Sequence, residues 1–170
     1  MTLIIEDGTT VADANSYCDL DYIKHYCVSR GLELPPNDTA IENAAVMAMT
    51  YIESKSDKFD GHCAEKAQAL AYPRKNAIYN GYLLGVAEIP EMLKKAQAHA
   101  TFLVTDYVDF QPIVDGNFVT EAQVASLKAK FSQNTVKTKD GSNYFGPVDD
   151  YLNKLYSRRY DTKLSRNHKY

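Results

Sequence analysis

Five side chains in this 170-residue sequence are of the kinds that ligate metals or act as nucleophiles: Cys18, His25, Cys27, His62 and Cys63. A structural zinc site asks for ligands two to four residues apart on each of two knuckles. Cys18 and Cys27 stand too far apart for one knuckle and His62 and Cys63 are adjacent, so the spacing favours buried helix cysteines and surface histidines. Carboxylates close in sequence, Asp19 with Asp21 and Asp149 with Asp150, are candidates for acid–base work. Both pairs fall at expected helix starts, where the dipole stabilises an acid, and capping is the simpler role. The sequence has no phosphate-cradling glycine loop, no nucleophile elbow and no His-Glu-x-x-His pattern. No catalytic residue, metal or cofactor is expected, which leaves binding and assembly.

Two groups of residues suit contact with a partner. Tyrosine buries an apolar body while keeping a polar tip, and the sequence has 13 tyrosines and no tryptophan. Core filling accounts for Tyr22, Tyr51 and Tyr107, whereas Tyr156, Tyr160 and Tyr170 lie at or beyond the last apolar stripe. They are interleaved with Arg158, Arg159, Lys163, Arg166 and Lys169 in a tail that nets +4. The second group is Lys128, Lys130, Lys137 and Lys139, in a stretch that alternates like a strand. The charge balance is uneven, since residues 1–60 hold 11 acids against 4 bases while the whole chain nets only −3. Its two ends should therefore prefer different partners.

The elements that must position these groups read as mainly helical. Asp19 can cap a helix over 20–30 that stops at Gly31; Thr39 to Glu42 has the form of a capping box opening a helix to about 54; Pro90 launches the longest helix, to about 107. The buried set predicted from these faces is Leu20, Ile23, Ile41, Ala45, Met49, Ile52, Leu93, Ala96 and Leu103. Residues 63–71 read as at most two helical turns ended by Tyr72-Pro73, and 74–87 as an irregular, packed connection. Two readings stay open for 120–139. A capping box at Thr120 supports a helix; a hairpin over 124–139 turning at Gln133-Asn134 would set Phe131 against Val136, Lys130 against Lys137 and Lys128 against Lys139. Like charges facing one another would make sense only against a polyanion or an acidic surface. A last short helix runs from Pro147 to about 157. The fold class is thus mainly α, a small helical bundle in a domain over 1–157, with a hairpin insertion as one alternative and a basic, extended C-terminal arm over 158–170. The opening residues lack a basic segment leading into a long apolar one, no run suits a membrane helix, and three cysteines cannot all pair. A soluble, unprocessed chain with free thiols is the expectation.

Three stretches occur in an order that resembles a known family. Ala12-Asp13-Ala14-Asn15-Ser16-Tyr17 comes first, then Ala67 to Arg74 ending in Tyr72-Pro73-Arg74, where a tryptophan is usual at the tyrosine, and then Glu88-Ile89-Pro90 before an alanine-rich helix. Over about residues 1–108 this resembles head-tail connector (neck adaptor) proteins of tailed bacteriophages, a group often labelled DnaT-like and single-stranded DNA-binding. The resemblance implies a non-enzymatic adaptor, assembled as a homo-oligomeric ring of twelve copies beneath the portal protein. It implies contact with the next neck component, a stopper or tail protein, and a channel for packaged double-stranded DNA. It also implies a place in the virion neck, reached through the host cytoplasm, and a C-terminal arm that docks on the portal. On this reading the arm is Tyr156, Arg158, Arg159, Tyr160, Lys163, Arg166, Lys169 and Tyr170, and the four lysines line the channel. A replication-type module that binds single-stranded DNA is the alternative. The sequence pI near 5.8 argues against it.

Overall fold

Asp19 accepts a hydrogen bond from the Tyr22 amide at 2.7 Å, and from this cap α1 (Leu20–Val28) begins. It ends as the sequence predicts. Gly31 has φ +65°, and the amides of Gly31 and Leu32 donate to the carbonyls of Val28 and Cys27 in a Schellman closure. In the computed structural model, residues 2–106, 121–124, 127–130, 136–137 and 143–157 are described. The cap of α2 (Asp38–Glu53) lies two residues earlier than expected, because Asn37, and not Thr39, accepts from an amide, that of Thr39 at 3.0 Å. α3 (Glu91–Thr105) follows Pro90.

The chain divides into two compact units, one formed by Met1–Phe110 with Pro147–Tyr170 and the other by Gln111–Gly146. In the first, α2 packs against α3, and α1 packs chiefly against α3. One apolar cluster joins Cys18, Ile23, Tyr26 and Cys27 to Ile41, Ala45 and Ala98. Met49, Ile52, Leu93 and Ala96 are also buried, as are Val148 and Leu152 of α4 (Gly146–Asn153). The mainly helical reading holds. Two of the predicted core residues do not reach full burial: Leu20 and Leu103 are half-buried, and the inward positions late in α3 go to Ala100 and Thr101.

Residues 63–71 form no helix. β1 (His62–Cys63) pairs antiparallel with β2 (Arg74–Lys75), and the loop between them is tied by Gln68. Its side-chain oxygen accepts from the Glu65 amide and its nitrogen donates to the carbonyls of Leu70 and Pro73. Beyond it, β3 (Ile78–Tyr79) and β4 (Tyr82–Leu83) make a hairpin turning on Asn80-Gly81. Both turn residues have positive φ, the geometry that Asn-Gly favours, so this segment is an ordered hairpin and not an irregular connection. The arm 2–16 lies close by: a Cβ on Gly8, whose φ is +104°, would fall 1.8 Å from the Ala87 carbonyl oxygen, so only glycine fits there.

In the second unit β5 (Glu121–Val124) pairs with β6 (Leu127–Lys130), and β7 (Val136–Lys137) with β8 (Asn143–Tyr144). This corrects both readings of 120–139. No helix occupies 121–124 or 127–130, and the hairpin is not the one expected. Lys130 stands opposite Glu121, Lys128 opposite Gln123, Lys137 opposite Asn143 and Val136 opposite Tyr144. This register places an acid across from Lys130, where the expected one set lysine against lysine.

Truncation should separate the true core from its edge. Ile52→Ala should cost about 2 to 5 kcal/mol, and Leu103→Ala, at a half-buried site, less than about 1.5 kcal/mol. Denaturant unfolding of the two variants checks this.

Candidate functional site

The stretches that carry the family resemblance meet inside the first unit. Glu6, 1% exposed, turns its carboxylate into the loop that follows it and accepts from the amides of Gly8, Thr10 and Val11 at 2.8, 3.0 and 2.9 Å. That fixes the arm preceding Asn15, whose side chain accepts from the Ile4 amide and donates to the Thr2 carbonyl. Ser16 and Tyr17 then meet α3. The Gln97 side chain accepts from the Tyr17 amide at 2.8 Å and donates to Ser16 Oγ at 2.7 Å, with Gln97 wholly buried.

The Tyr17 side chain continues the chain of contacts into α2. Its hydroxyl donates to Glu53 Oε1 at 2.7 Å and accepts from the Tyr72 amide at 3.1 Å, while Glu53 Oε2 accepts from the Ala71 amide at 2.9 Å. One carboxylate thus ties the N-terminal segment, α2 and the 64–73 loop together. Burial, followed by the nearby Glu53 charge, pushes the Tyr17 phenol up, and burial raises Glu53 above the ordinary glutamate range against the opposing pull of its hydrogen bonds and of Arg74.

Arg74 is the second hub. Nearly buried, it donates to the carbonyls of Asp60 at 2.7 Å, Gly61 at 2.9 Å, and Phe59 and Ala71 at 3.3 Å each. A planar fork with five donors suits four carbonyls arrayed around it, and no other side chain offers that. Tyr72 packs on the same region, its ring 5.5 Å from that of Phe59. Among the sequence candidates, Asp149 is buried and accepts from the Tyr51 hydroxyl at 2.7 Å, so it joins α4 to α2. Cys18 and Cys27 are buried and Cys63 is exposed; burial raises the Cys27 thiol to about 11. Among the described residues no three of His, Cys, Asp and Glu cluster as metal ligands do.

Tyr156 is not part of a free arm. It bridges to Phe59, its ring lies 5.8 Å from the Phe59 ring, and the neighbouring amides close the seam, Ser157 donating to the Lys58 carbonyl and Asp60 to that of Leu155. The reason is the aromatic partner at 59, which sequence periodicity does not reveal. Arg158, Arg159, Tyr160, Lys163, Arg166, Lys169 and Tyr170 lie outside the described residues, as does Lys139. Lys128, Lys130 and Lys137 belong to the second unit, with the ladder positions given above.

Sequence reasoning missed Gln97 and Glu53, although each left a trace. Gln97 is a polar residue at helical spacing from Leu93 and Ala100, inside an otherwise apolar stripe. Glu53 has no such pattern; only the approach of Tyr17 and the 71–72 backbone gives it a role.

The geometry therefore defines a helical protein whose polar motif residues hold its own backbone in place. The chain belongs to the family described as "Putative DnaT-like ssDNA binding protein", whose model matches residues 1–167. That description does not extend to the head-tail connectors that residues 1–108 resemble. No curated protein and no solved structure matches the chain.

Arg74→Lys should destabilise the fold by on the order of 2 to 4 kcal/mol, because an ammonium cannot serve four carbonyls. Glu53 supplies a pH test. A carboxyl whose folded pKa exceeds its unfolded one contributes fully below the unfolded pKa, and that contribution is lost as pH rises through the folded one. Replacing it, Glu53→Gln, should flatten a fall in stability with rising pH, read from urea midpoints of both forms between about pH 4 and about pH 7.

Proposed function

We propose that this chain is a structural connector subunit of a tailed-phage neck, a non-catalytic adaptor that assembles as a ring below the portal and around the DNA channel. The observation that carries the reading is the use of the motif residues. Glu6, Ser16, Tyr17, Tyr72 and Arg74 all serve the protein's own backbone and packing, so what is left for partners is the surface. That surface is acidic on the body, since residues 2–106 and 145–157 hold seventeen acids against ten bases, of which two acids, Glu6 and Asp149, and one base, Arg74, are buried. A groove that tracks a nucleic-acid strand is basic and lined with stacking aromatics. An acidic body bearing a basic tail suits protein partners of opposite charge at its two ends.

The second reading is single-stranded DNA binding, and the family description supports it more directly than it supports the connector. On this reading Lys128, Lys130, Lys137 and Lys139 with the tail beyond residue 157 would follow the strand.

Native mass spectrometry of the full chain, alone and with the portal protein, set beside anisotropy of a labelled single-stranded oligonucleotide at moderate salt, separates the two. The connector reading expects multi-copy assembly or portal capture, portal binding lost on deletion of residues 158–170, and assembly unchanged when the four lysines become glutamate. Tight strand binding that those same four substitutions abolish, with no assembly, would establish the second reading in its place.

A further inference from the structure

Three helices of the first unit bring polar side chains together around one phenol. Tyr151 of α4 accepts a hydrogen bond from the Tyr26 hydroxyl of α1 at 3.3 Å, and the same Tyr26 oxygen lies 3.3 Å from His99 Nδ1 of α3. A hydroxyl has one proton to give. Tyr26 gives it to Tyr151, so the hydrogen between Tyr26 and His99 must be carried by Nδ1. The chain of donors thus runs from His99 through Tyr26 to Tyr151, and it ends on a half-buried hydroxyl whose own proton has no acceptor among these groups.

Cations stand around that end. Arg30, just past α1, lies over the Tyr26 ring with its guanidinium carbon 3.8 Å from the ring centre, and Lys154, just past α4, holds its ammonium 5.8 Å from the centre of the Tyr151 ring. Both side chains are exposed. Arg30 donates to the Tyr26 carbonyl and to Ser29 Oγ through Nη1 alone, which leaves Nε and Nη2 of its fork for other acceptors. The hydrogen bond from Tyr26, followed by Arg30 and then Lys95, holds the Tyr151 phenol below its usual range against the opposing effect of partial burial. Elsewhere on this unit two lysines stand against acids, Lys24 against Asp38 at 2.6 Å and Lys75 against Glu65 at 3.7 Å. Here, among the described residues, no carboxylate pairs with Arg30 or Lys154, and Lys95 shares its charge with Glu91 at 3.7 Å. Asp149, on the same helix as Tyr151, is turned to Tyr51 instead.

The donor set selects the ligand. A planar carboxylate is satisfied by one arginine fork. A fork, an ammonium and a hydroxyl brought from separate elements suit an acceptor with oxygens on several sides, and two cations without a carboxylate suit one that carries more than a single charge. We propose that Arg30, Tyr151 and Lys154 form a binding site for a phosphate group where α1, α3 and α4 meet, with His99 and Tyr26 orienting the Tyr151 proton toward it. The inference goes beyond both functional readings, neither of which assigns a ligand to this face.

The test is an NMR titration of the full chain, labelled in its tyrosine rings, with inorganic phosphate at constant ionic strength, chloride making up the balance. The Tyr26 and Tyr151 ring signals should shift and saturate with phosphate and stay in place with chloride alone. Followed through Tyr26, Tyr151→Phe and Lys154→Gln should each weaken binding about tenfold or more, the loss expected when a hydrogen bond to a charged group is removed. Lys66→Gln takes the same charge from the exposed part of the 64–73 loop and should leave binding unchanged. Thermal melts within a few degrees of the unchanged chain confirm folding of each variant. A second arm measures anisotropy of a labelled single-stranded oligonucleotide on the same proteins. Saturation by inorganic phosphate that depends on Tyr151 and Lys154 identifies a site for the free ion. A strand whose binding falls by the same factor in those two variants, with no response to the free ion, identifies a site for a phosphate of the nucleic-acid backbone. The proposal is overturned by phosphate binding that Tyr151→Phe and Lys154→Gln leave unchanged or that Lys66→Gln weakens equally. It is also overturned if phosphate gives no saturable shift and the two substitutions leave strand binding as it was.

Discussion

The rest of the first unit depends on one half-buried carboxylate. Glu53 ends α2, and its two oxygens hold the Tyr17 hydroxyl and the Ala71 amide. Tyr17 in turn accepts from the Tyr72 amide, and its own amide is held by Gln97 on α3. Three segments far apart in sequence thus converge where no regular ladder could satisfy their backbone groups. A backbone amide buried without a partner costs as much as a lost hydrogen bond, so loops can be interior only if side chains complete them. Glu53, Gln97 and Arg74 do that here, and each gives up solvation to do so.

That division of labour gives the polar residues of these motifs their partners within the chain itself. In the arm, Glu6 closes three amides; in the 59–74 region, Arg74 closes four carbonyls. An anion or cation at either place would have to displace the protein's own groups. On the outer surface the features that stand out are an excess of acids on the body and an uncharged hairpin over residues 76–87.

The second unit illustrates how charge pattern and register constrain each other. Strict alternation of lysine and apolar residues identifies strands but not their partners, because period two is satisfied by any antiparallel neighbour. Pairing β6 with β5 sets Lys130 across from Glu121 and leaves only residues 125 and 126 between the strands. The alternative needs lysines face to face. Local turn length and opposite charge favour the same register.

What the sequence determined by itself is the helical frame. Asp19, Gly31 and Pro90 mark boundaries through capping and backbone conformation, which are local, and three-to-four-residue spacing names Ile23, Ile41, Ala45, Ile52, Leu93 and Ala96 as core, all of them buried. The tertiary structure alone decided which polar residues became interior and which apolar ones stayed out. Tyr156 looked free until Phe59 was seen against it, the Ile78–Leu83 hairpin read as packed although its tip is exposed, and Glu53 and Gln97 acquired roles only from distant backbone amides. Helix signals act over a few residues, whereas hydrogen-bond satisfaction of a buried loop depends on groups that chain folding brings from far along the sequence, 80 positions between Tyr17 and Gln97.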